Sequence, residues 1–366
     1  MKGAAVLMVL VMAATSLSGC LGEDLLMLDD CTEAVSDQRN DDGVLRVLTY
    51  DIASLTPEFL EAFTNETGIE VELIRTGDAG AVLEQVLLYG DAPQVDLVLG
   101  LDGSYLPIAV ARCRISVHGV DLAALQESIL TASGDLSRHG VPFDHGWVCL
   151  NADSEVIDQM PTSLWNLTEP AYEGRVALPS PLSSSPGRAF FLATLHGLGD
   201  EAWSWWEAML ANGAIVTSGW SEAYEIHYSG GYGVWEEGHI GDAAVTVSYC
   251  HSPGVEAYYG GNSTASVPLA LPGGVYHQIE YGAVLAGAAN TTAAEAFLAH
   301  LVSPGANAEM PYQNLMYSVL DGTDLPEDEG YRHHSLVPTE AASVLAGMDL
   351  AALDLALDAL ALLLEA

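Results

Sequence analysis

Aromatic and acidic side chains follow several predicted strands of this chain, at the points where the strands end. Tyr50 follows the first predicted strand, Asp102 follows the third, and Tyr249 ends a strongly apolar strand in the second half. Open α/β sheets bind their ligands at the carboxyl ends of strands, so we expect these side chains to meet in a cleft. Aromatic faces attract cations and a carboxylate offsets positive charge, which is chemistry suited to a cationic ligand.

Two further positions add candidate ligand contacts. Ser184 lies in a serine-rich turn at residues 183–187, directly before a predicted helix. Backbone N–H groups and hydroxyls at such a place can hold an anion. Trp220 opens an aromatic segment, W-S-E-A-Y. Any one of these side chains could be a helix cap or a core residue, but their shared location favours a binding site.

The sequence lacks the motifs that commonly mark enzymes and metal sites. It has no G-x-S-x-G elbow, no phosphate-binding P-loop and no H-E-x-x-H helix. Carboxylates are too abundant for any pair to stand out as general acid and base, and no cysteine or histidine cluster has zinc spacing. We therefore expect a binding protein without catalytic activity, bound metal or cofactor.

The charge balance excludes one class of partner. Ten lysines and arginines face 50 aspartates and glutamates, which gives a formal net charge of −40. No basic patch exists to meet phosphates, so nucleic acid is excluded as a partner. The acidity is typical of a solvated surface suited to a salty medium, and it would also attract a cationic ligand.

The N-terminus predicts export and lipid anchoring. A basic start at Lys2 precedes an apolar run and then Leu17-Ser18-Gly19-Cys20, which resembles a lipobox. The run is shorter than the roughly 20 residues that span a bilayer. We expect a signal peptide at 1–19, lipidation of Cys20 and a tether at 20–43, which would hold the protein on the outer face of the cytoplasmic membrane. The alternative is an ordinary signal peptide in which Cys20 is incidental.

Strands and helices alternate along the remaining chain, which is typical of an α/β fold with parallel βαβ units. The predicted strands are 44–50, 69–74, 95–100, 146–150, 176–178, 243–249 and 276–285, and the predicted helices are 56–68, 79–89, 187–198, 201–211, 292–301 and 339–366. About 340 residues follow the leader, which is too long for one simple core and suits two lobes.

We expect each lobe to have its own sheet, with strands crossing between the lobes at residues 141–146 and 278–282. The first lobe comprises residues 44–142 and 278–366, including the apolar C-terminal helical region, and the second comprises 143–277. The ligand cleft would lie between the two lobes.

Four cysteines remain if Cys20 carries lipid, and an even number outside the cytoplasm permits two disulfides with three connectivities. Cys149 and Cys250 both lie on strands of the predicted second lobe, which favours a Cys149–Cys250 bridge. Cys31 and Cys113 would then join the end of the tether to the first lobe.

Seven segments resemble the thiamine-binding lipoproteins and periplasmic proteins of ABC importers, which belong to the two-lobed solute-binding (type II periplasmic-binding-protein) superfamily. The segments are V-L-T-Y-D (47–51), V-L-G-L-D (98–102), V-P-F-D-x-G (141–146), S-S-x-P-G (183–187), G-W-S-E-A-Y (219–224), V-S-Y-x-x-S-P (247–253) and N-x-M-Y (314–317). They run in the family's order, and the fifth and sixth segments are the most specific.

The resemblance implies capture of thiamine or its phosphate esters, delivery to an ABC permease, and action as a monomer. It places aromatic ligand contacts at Tyr50, Trp220 and Tyr249, an acidic contact at Asp102, and a contact with the hydroxyethyl or phosphate end at Ser184. Two positions depart from the family pattern, because Leu315 and Val255 stand where the family has aromatic residues.

Three other functions remain open on the sequence. The adjacent Tyr258 and Tyr259 are typical of ferric iron ligands, and an acidic cleft with aromatic walls also suits a polyamine. A secreted lipoprotein hydrolase with an unrecognised acid pair is the alternative from another class of protein.

Overall fold

The computed structural model describes Cys31 and residues 43–322, 334–339, 342–343 and 350–365. The signal peptide, Cys20 and the tether apart from Cys31 and Gly43 therefore lie outside the described residues. Within the described part of the chain, every helix is too short or too polar to cross a bilayer.

All seven predicted strands and the first five predicted helices are present, with ends that differ by a few residues. The strands are β1 Val44–Thr49, β2 Glu70–Arg75, β3 Leu97–Asp102, β4 Gly140–Asp153, β5 Val176–Pro179, β6 Ile215–Thr217, β7 Val245–Tyr249, β8 Ser266–Leu269, β9 Tyr276–Val284, β10 Tyr317–Ser318 and β11 Ala342–Ser343. The α-helices are α1 Pro57–Thr67, α2 Ala79–Tyr89, α3 Leu106–Ala111, α4 Glu127–Ser133, α5 Ser185–Leu198, α6 Ala202–Ala211, α7 Ser252–Tyr259, α8 Thr291–Leu301, α9 Pro304–Asn307, α10 Met310–Gln313 and α11 Leu350–Leu364.

Helix α1 shows how the local sequence sets helix ends. The Thr56 hydroxyl accepts a hydrogen bond from the Phe59 N–H at 3.2 Å, and proline occupies the first turn. Gly68 ends the helix in the left-handed conformation with φ of 76°, where its N–H donates to the Thr64 carbonyl. The helix buries Phe59 and Phe63.

The expectation of two separate sheets is wrong. One hydrogen-bonded ladder runs in the order β2-β1-β3-β9-β4-β7-β5-β6. Strands β4 and β9, of 14 and nine residues, pair antiparallel with each other, and both cross between the lobes. Because β9 also bonds β3 and β4 also bonds β7, these two strands carry the ladder from one lobe to the other.

Two separate hydrophobic cores define the lobes despite this continuous ladder. The first contains the Phe63–Phe297 edge-to-face pair, with ring centroids 5.0 Å apart, and the second contains Trp205 and Trp206. Along β4 the core changes between Phe143 and Val148, and along β9 between Tyr276 and Ile279. Phe143, which the prediction placed at the start of the second lobe, packs in the first core, whereas the change of core along β9 spans residue 278.

The C-terminal segment differs from the prediction in two ways. Part of the predicted helix at 339–366 is strand β11, which pairs parallel with β9 at Tyr276 and His277. The assignment of the C-terminal helix to the first lobe is also wrong, because Leu353 and Leu360 of α11 lie in the second core. An apolar helix face packs against whichever core it reaches, and here β11 leads it to the second lobe.

Both predicted disulfides are present. Cys149 on β4 pairs with Cys250 directly after β7, with Cα atoms 5.4 Å apart, and Cys31 pairs with Cys113 at a Cα separation of 5.5 Å. The adjacent strands β4 and β7 bring the first pair together, since Cys149 lies opposite Ser248 in their ladder.

Candidate ligand-binding cleft

A cavity of about 330 Å³ lies where the two lobes meet at the crossing strands. Its size falls within the range of small-molecule sites. Its lining comes from both lobes and comprises Tyr50, Asp51, Ile52, Ser54, Asp78, Ala79, Gly100, Ser185, Pro186, Trp220, Ser221, Tyr224, Glu225, Tyr232, Tyr249, His251, Ser252, Val255, Glu280, Asn314, Leu315 and Met316.

The second lobe supplies a fixed aromatic wall. Trp220 stacks on Tyr224 with ring centroids 4.7 Å apart and an interplanar angle of 13°. The Trp220 Nε1–H donates to the Ser248 hydroxyl at 2.9 Å, and the Tyr224 hydroxyl donates to the buried carboxylate of Glu256. Both rings are therefore held in place by hydrogen bonds at their polar atoms, and because they stack on each other, each has at most its opposite face for a ligand.

Two tyrosines line another part of the cavity. The Tyr50 hydroxyl donates to Oε2 of Glu280 at 3.0 Å and accepts from Nδ2 of Asn314 at 2.7 Å. The Tyr249 hydroxyl accepts from Nε2 of Gln278 at 2.9 Å. The structure thus brings together three of the predicted contacts, since Tyr50, Tyr249 and Trp220 all line the cavity.

A glycine gives Tyr50 its place. Gly100 has φ of 89°, and a Cβ built on it would overlap the ring of Tyr50. Only glycine satisfies both the backbone angle and the close approach of that ring. The glycine of V-L-G-L-D therefore positions an aromatic side chain of the site.

A buried acidic pair lies at the crossing strands. Asp144 on β4 and Glu280 on β9 are directly opposite each other in the ladder, and both side chains are buried. The Asp144 carboxylate accepts from Nδ2 of Asn314 at 2.7 Å, and Oε1 of Glu280 accepts from Nε2 of Gln278 at 3.2 Å. Like charges directly opposite on neighbouring strands repel each other.

Burial and this repulsion change the protonation of the pair. Burial raises the pKa of Asp144 to about 7, and burial together with the Asp144 charge raises the pKa of Glu280 well above its usual range. The pair therefore holds a proton at neutral pH. A bound cation could take the place of that proton.

Other acids complete the electrostatics of the cavity. Asp51, Asp78 and Glu225 also line it, and no described lining residue is a lysine or arginine. Burial raises the pKa of Glu225, whose Oε1 accepts a hydrogen bond from the Tyr232 hydroxyl at 3.0 Å. Acidic walls with aromatic faces favour a cationic, flat ligand.

The structure places Asp102 outside the cavity lining. Its Oδ1 accepts from the Ser104 N–H and hydroxyl, both at 2.6 Å, and from the Tyr105 N–H at 3.1 Å, while Oδ2 accepts from the Ser185 hydroxyl. The turn after β3 folds back over this carboxylate, which caps that turn and contacts the second lobe. The acids that line the cavity instead are Asp51, Asp78, Glu225 and Glu280.

Ser184 also lies behind the cavity lining. It is buried as the N-cap of α5, where its hydroxyl accepts from the Gly187 N–H at 3.5 Å. A Cβ on Gly187 would overlap the Pro179 carbonyl, so glycine lets α5 begin directly against the end of β5. The neighbouring residues Ser185 and Pro186 reach the cavity.

The two departures from the family pattern both face the cavity, since Val255 and Leu315 line it. Tyr258 and Tyr259 do not line it; they lie on α7 with their rings edge to face at 5.0 Å, and Tyr259 is 61% exposed. The adjacent tyrosines that suggested iron are thus outside the cleft. No group of three or more metal-binding side chains occurs among the described residues.

Sequence reasoning missed Asp78 and Glu280 as cavity residues. Glu280 lies inside a predominantly apolar strand, where its alternation with Gln278 on one strand face was the available signal. In the sequence, the position of Asp78 is typical of an ordinary helix N-cap, and Asp78 does have that role in α2.

Comparisons with known proteins agree with this geometry. The family described as bacterial extracellular solute-binding protein matches residues 58–315. A thiamine-binding periplasmic protein of Brucella melitensis is 30% identical over 261 residues, which cover 71% of this chain and 73% of the relative. Another, from Salmonella typhimurium, is 29% identical over 285 residues, which cover 76% and 81%.

A solved structure of a periplasmic thiamin binding protein aligns with a TM-score of 0.72 at 27% identity, over 88% of this chain and 94% of that one. The same architecture is present here, with two cores joined by crossing strands around a cavity. This fold, together with a family match that spans both lobes, shows that the chain belongs to the bacterial extracellular solute-binding proteins.

Proposed function

We propose that the protein captures thiamine outside the cytoplasm and delivers it to an ABC permease, acting as a monomer. The observation that carries the proposal is a cavity between the lobes that combines an ordered aromatic wall with buried carboxylates and no basic lining residue among those described. The names of the similar periplasmic proteins support the same ligand.

Thiamine is a fixed thiazolium cation joined to a flat aminopyrimidine. In the proposed complex, Trp220 packs one face of its indole ring against one of these ligand rings, while Tyr224 stacks on the other face of Trp220. Tyr50 and Tyr249 supply further aromatic surface. Each cation–π contact contributes roughly 0.5–2 kcal/mol. Glu280 and Asp144 offset the charge of the thiazolium.

Contacts across the cleft support a binding cycle in which the lobes close. The Gly80 N–H at the start of α2 donates to the Ser183 carbonyl of the second lobe at 2.9 Å. The Ser185 hydroxyl donates to Asp102 in the first lobe. Opening these contacts would admit the ligand, and reforming them would present a closed shape to the permease.

We further propose that residues 1–19 are a signal peptide and that lipidated Cys20 anchors the protein outside the cytoplasmic membrane. The family's description as extracellular supports this location. Two disulfides also suit an oxidising compartment.

A polyamine is the second candidate ligand, because the acidic cavity suits any organic cation. The stacked wall of Trp220 and Tyr224 favours thiamine, since a polyamine has no flat ring to place against it. Ferric iron and hydrolysis have no comparable support in the cavity.

Two measurements test the proposal. Mass spectrometry of the small molecules that co-purify with the protein should identify thiamine or one of its phosphate esters. Calorimetry should then give tight binding of thiamine and much weaker binding of spermidine. Stronger binding of spermidine than of thiamine, or turnover of the bound molecule, would contradict it.

A further inference from the structure

Among the described residues, four tyrosines line the cavity, and three of them donate their hydroxyls to carboxylates. The Tyr50 and Tyr232 hydroxyls donate to acids that themselves line the cavity, each at 3.0 Å. The Tyr224 hydroxyl donates to Glu256, which lies outside the lining. A carboxylate acceptor polarises the hydroxyl and adds negative charge to the ring face, which is the part of a tyrosine that attracts a cation.

Glu256 on α7 is enclosed behind the aromatic wall. The side chains of Glu256 and Tyr224 are 3% and 1% exposed. A Cβ built on Gly231 would lie 3.0 Å from the Tyr224 hydroxyl oxygen and 3.3 Å from Oε1 of Glu256, so the backbone of this glycine covers their hydrogen bond. Electrostatic effects are stronger in such a buried place than in water.

Hydrogen bonds favour a negative charge on Glu256. Burial raises the pKa of this carboxyl, whereas hydrogen bonds from Ser266, Thr264 and Tyr224 lower it. The Thr264 hydroxyl donates to Oε2, and the Tyr224 hydroxyl donates to Oε1, so both carboxylate oxygens have a donor. Donors to both oxygens stabilise the charged form.

The stacked rings connect this carboxylate to the cavity. Tyr224 lies between Glu256 and Trp220, whose ring it contacts at a centroid distance of 4.7 Å. Glu225 and Glu280 can face a ligand directly, because both line the cavity. Glu256 does not line it, so its route to a ligand passes through the two rings.

We infer that Glu256 is a specificity-determining residue, which acts through Tyr224 and the stacked Trp220 to make the cleft prefer a cationic ring over a neutral ring of the same shape. The inference rests on the proposed function, because it concerns how the charge of that ligand is recognised. A purely structural role of Glu256 would instead support cationic and neutral ligands equally.

Calorimetry at pH 8 with thiamine and deazathiamine, in which a neutral thiophene replaces the thiazolium, tests the inference. Glu256→Gln removes the charge but keeps the size and an acceptor oxygen for Tyr224, and Tyr224→Phe keeps the ring but removes the hydroxyl. Asp153→Asn is the matched control. Asp153 is a buried acid of the second lobe whose Oδ2 accepts from the Ser229 hydroxyl at 2.7 Å, and neither of these two residues lines the cavity.

We expect the wild type to bind thiamine about tenfold more tightly than deazathiamine. Glu256→Gln should reduce this ratio about threefold or more, chiefly by weakening thiamine, and Tyr224→Phe should reduce it as well. The double variant Glu256→Gln/Tyr224→Phe should have a ratio no lower than the lower of the two single variants, because both changes remove the same interaction. Asp153→Asn should leave the ratio within about twofold of wild type.

A Glu256→Gln variant that weakens both compounds by the same factor would overturn the inference and leave the proposed function standing. An equal reduction of the ratio in Asp153→Asn would also overturn it, because the effect would then not depend on Tyr224. If Glu256→Gln fails to fold or binds neither compound, Tyr224→Phe decides by the same ratio. Failure of the wild type to bind thiamine is the distinct result that overturns the proposed function, and the inference with it.

Discussion

Trp220 is the side chain on which the aromatic wall depends. Its ring stacks on Tyr224 and its nitrogen bonds Ser248, so its face is presented in one orientation. Trp220→Ala should weaken thiamine binding by about 1–3 kcal/mol, roughly fivefold to more than a hundredfold, because stacking and apolar contact are lost together. Isothermal titration calorimetry measures the loss.

Trp235 offers a matched control for this substitution. It is 67% exposed and lies outside the cavity lining, so Trp235→Ala removes the same ring from a position without ligand contact. Equal affinities in the two variants would show that the wall does not contact the ligand.

The acidic pair predicts how affinity depends on pH. Burial raises the pKa of Asp144 to about 7, so this carboxyl loses its proton and becomes charged as the pH rises through that value, which favours a bound cation. Affinity should rise with pH through 7 and fall by up to about tenfold per pH unit below it. Burial lowers the pKa of His251 in the cavity lining to about 4, which lies below this window.

Titrations between pH 5.5 and 8.5 measure this dependence, and titrations in buffers of different ionisation enthalpy count the proton released. Asp144→Asn is the informative variant, because it removes the titrating group while keeping a side chain of the same shape. A wild-type affinity that stays flat across the range would refute the role of the pair.

Among the individual residues of the site, the sequence predicted the aromatic contacts better than the acidic ones. Tyr50, Trp220 and Tyr249 line the cavity, because the strand ends that they follow meet at the cleft. Asp102 satisfies its carboxylate within its own turn, which depends on how residues 103–105 fold back. Glu280 joins the site only through its register with Asp144, which local sequence does not specify.

Among the secondary-structure elements, the sequence predicted the two crossing strands. It did not predict that their hydrogen bonds join the strands of both lobes into one ladder. Apolar runs locate β4 and β9, but their hydrogen bonds to β3 and β7 depend on how the lobes are placed. The same limit applies to α11. Its apolar residues predict that it docks on the body of the protein, but they do not specify which of the two cores receives it.

The docking of α11 can be tested by two leucines on one helix. Leu360 is fully buried in the second core, whereas Leu362 is 62% exposed. Leu360→Ala should lower the free energy of unfolding by about 2–5 kcal/mol, and Leu362→Ala should change it little. Denaturant unfolding monitored by circular dichroism gives both values. A harmless Leu360→Ala would mean that this helix does not belong to the core.

A substitution at the N-terminus of α2 is expected to oppose closure of the two lobes. A Cβ on Gly80 would lie 2.6 Å from the Ser183 carbonyl oxygen across the cleft. Gly80→Ala should therefore fold normally but hold the lobes apart, which should weaken thiamine binding at least tenfold. Gly305→Ala, where a Cβ would meet nothing within 4 Å, is the control. Calorimetry and small-angle X-ray scattering with ligand would report affinity and closure.

For the whole molecule, alternating strands and helices together with the family resemblance predicted the architecture. The family match and the solved periplasmic thiamin binding protein confirm the two-lobed fold. What the chain length did not reveal is that one ladder spans both lobes, because residue counts constrain the number of cores and not the pairing of strands.

Attachment to the membrane is a property of the whole chain and is tested in cells. Cys20→Ala should release the protein from membranes or leave its leader uncleaved, because the lipidated cysteine would be gone. The double variant Cys31→Ala/Cys113→Ala, which keeps Cys20, should stay in the membrane fraction. Fractionation with immunoblotting distinguishes them. Normal processing and membrane retention of Cys20→Ala would refute the anchor.

The Cys31–Cys113 disulfide has a consequence for the encounter with the permease. It joins the chain to the first lobe 11 residues after Cys20. In a lipid-anchored protein, the segment between Cys20 and the first lobe would therefore span at most about 40 Å. Without the bridge, the segment between the lipid and the first lobe would extend to Val44 and span roughly 80 Å. The volume accessible to the protein would then be about eightfold larger. With Cys20 lipidated, the disulfide would therefore raise the effective concentration of the protein at the membrane surface, where it would meet the permease.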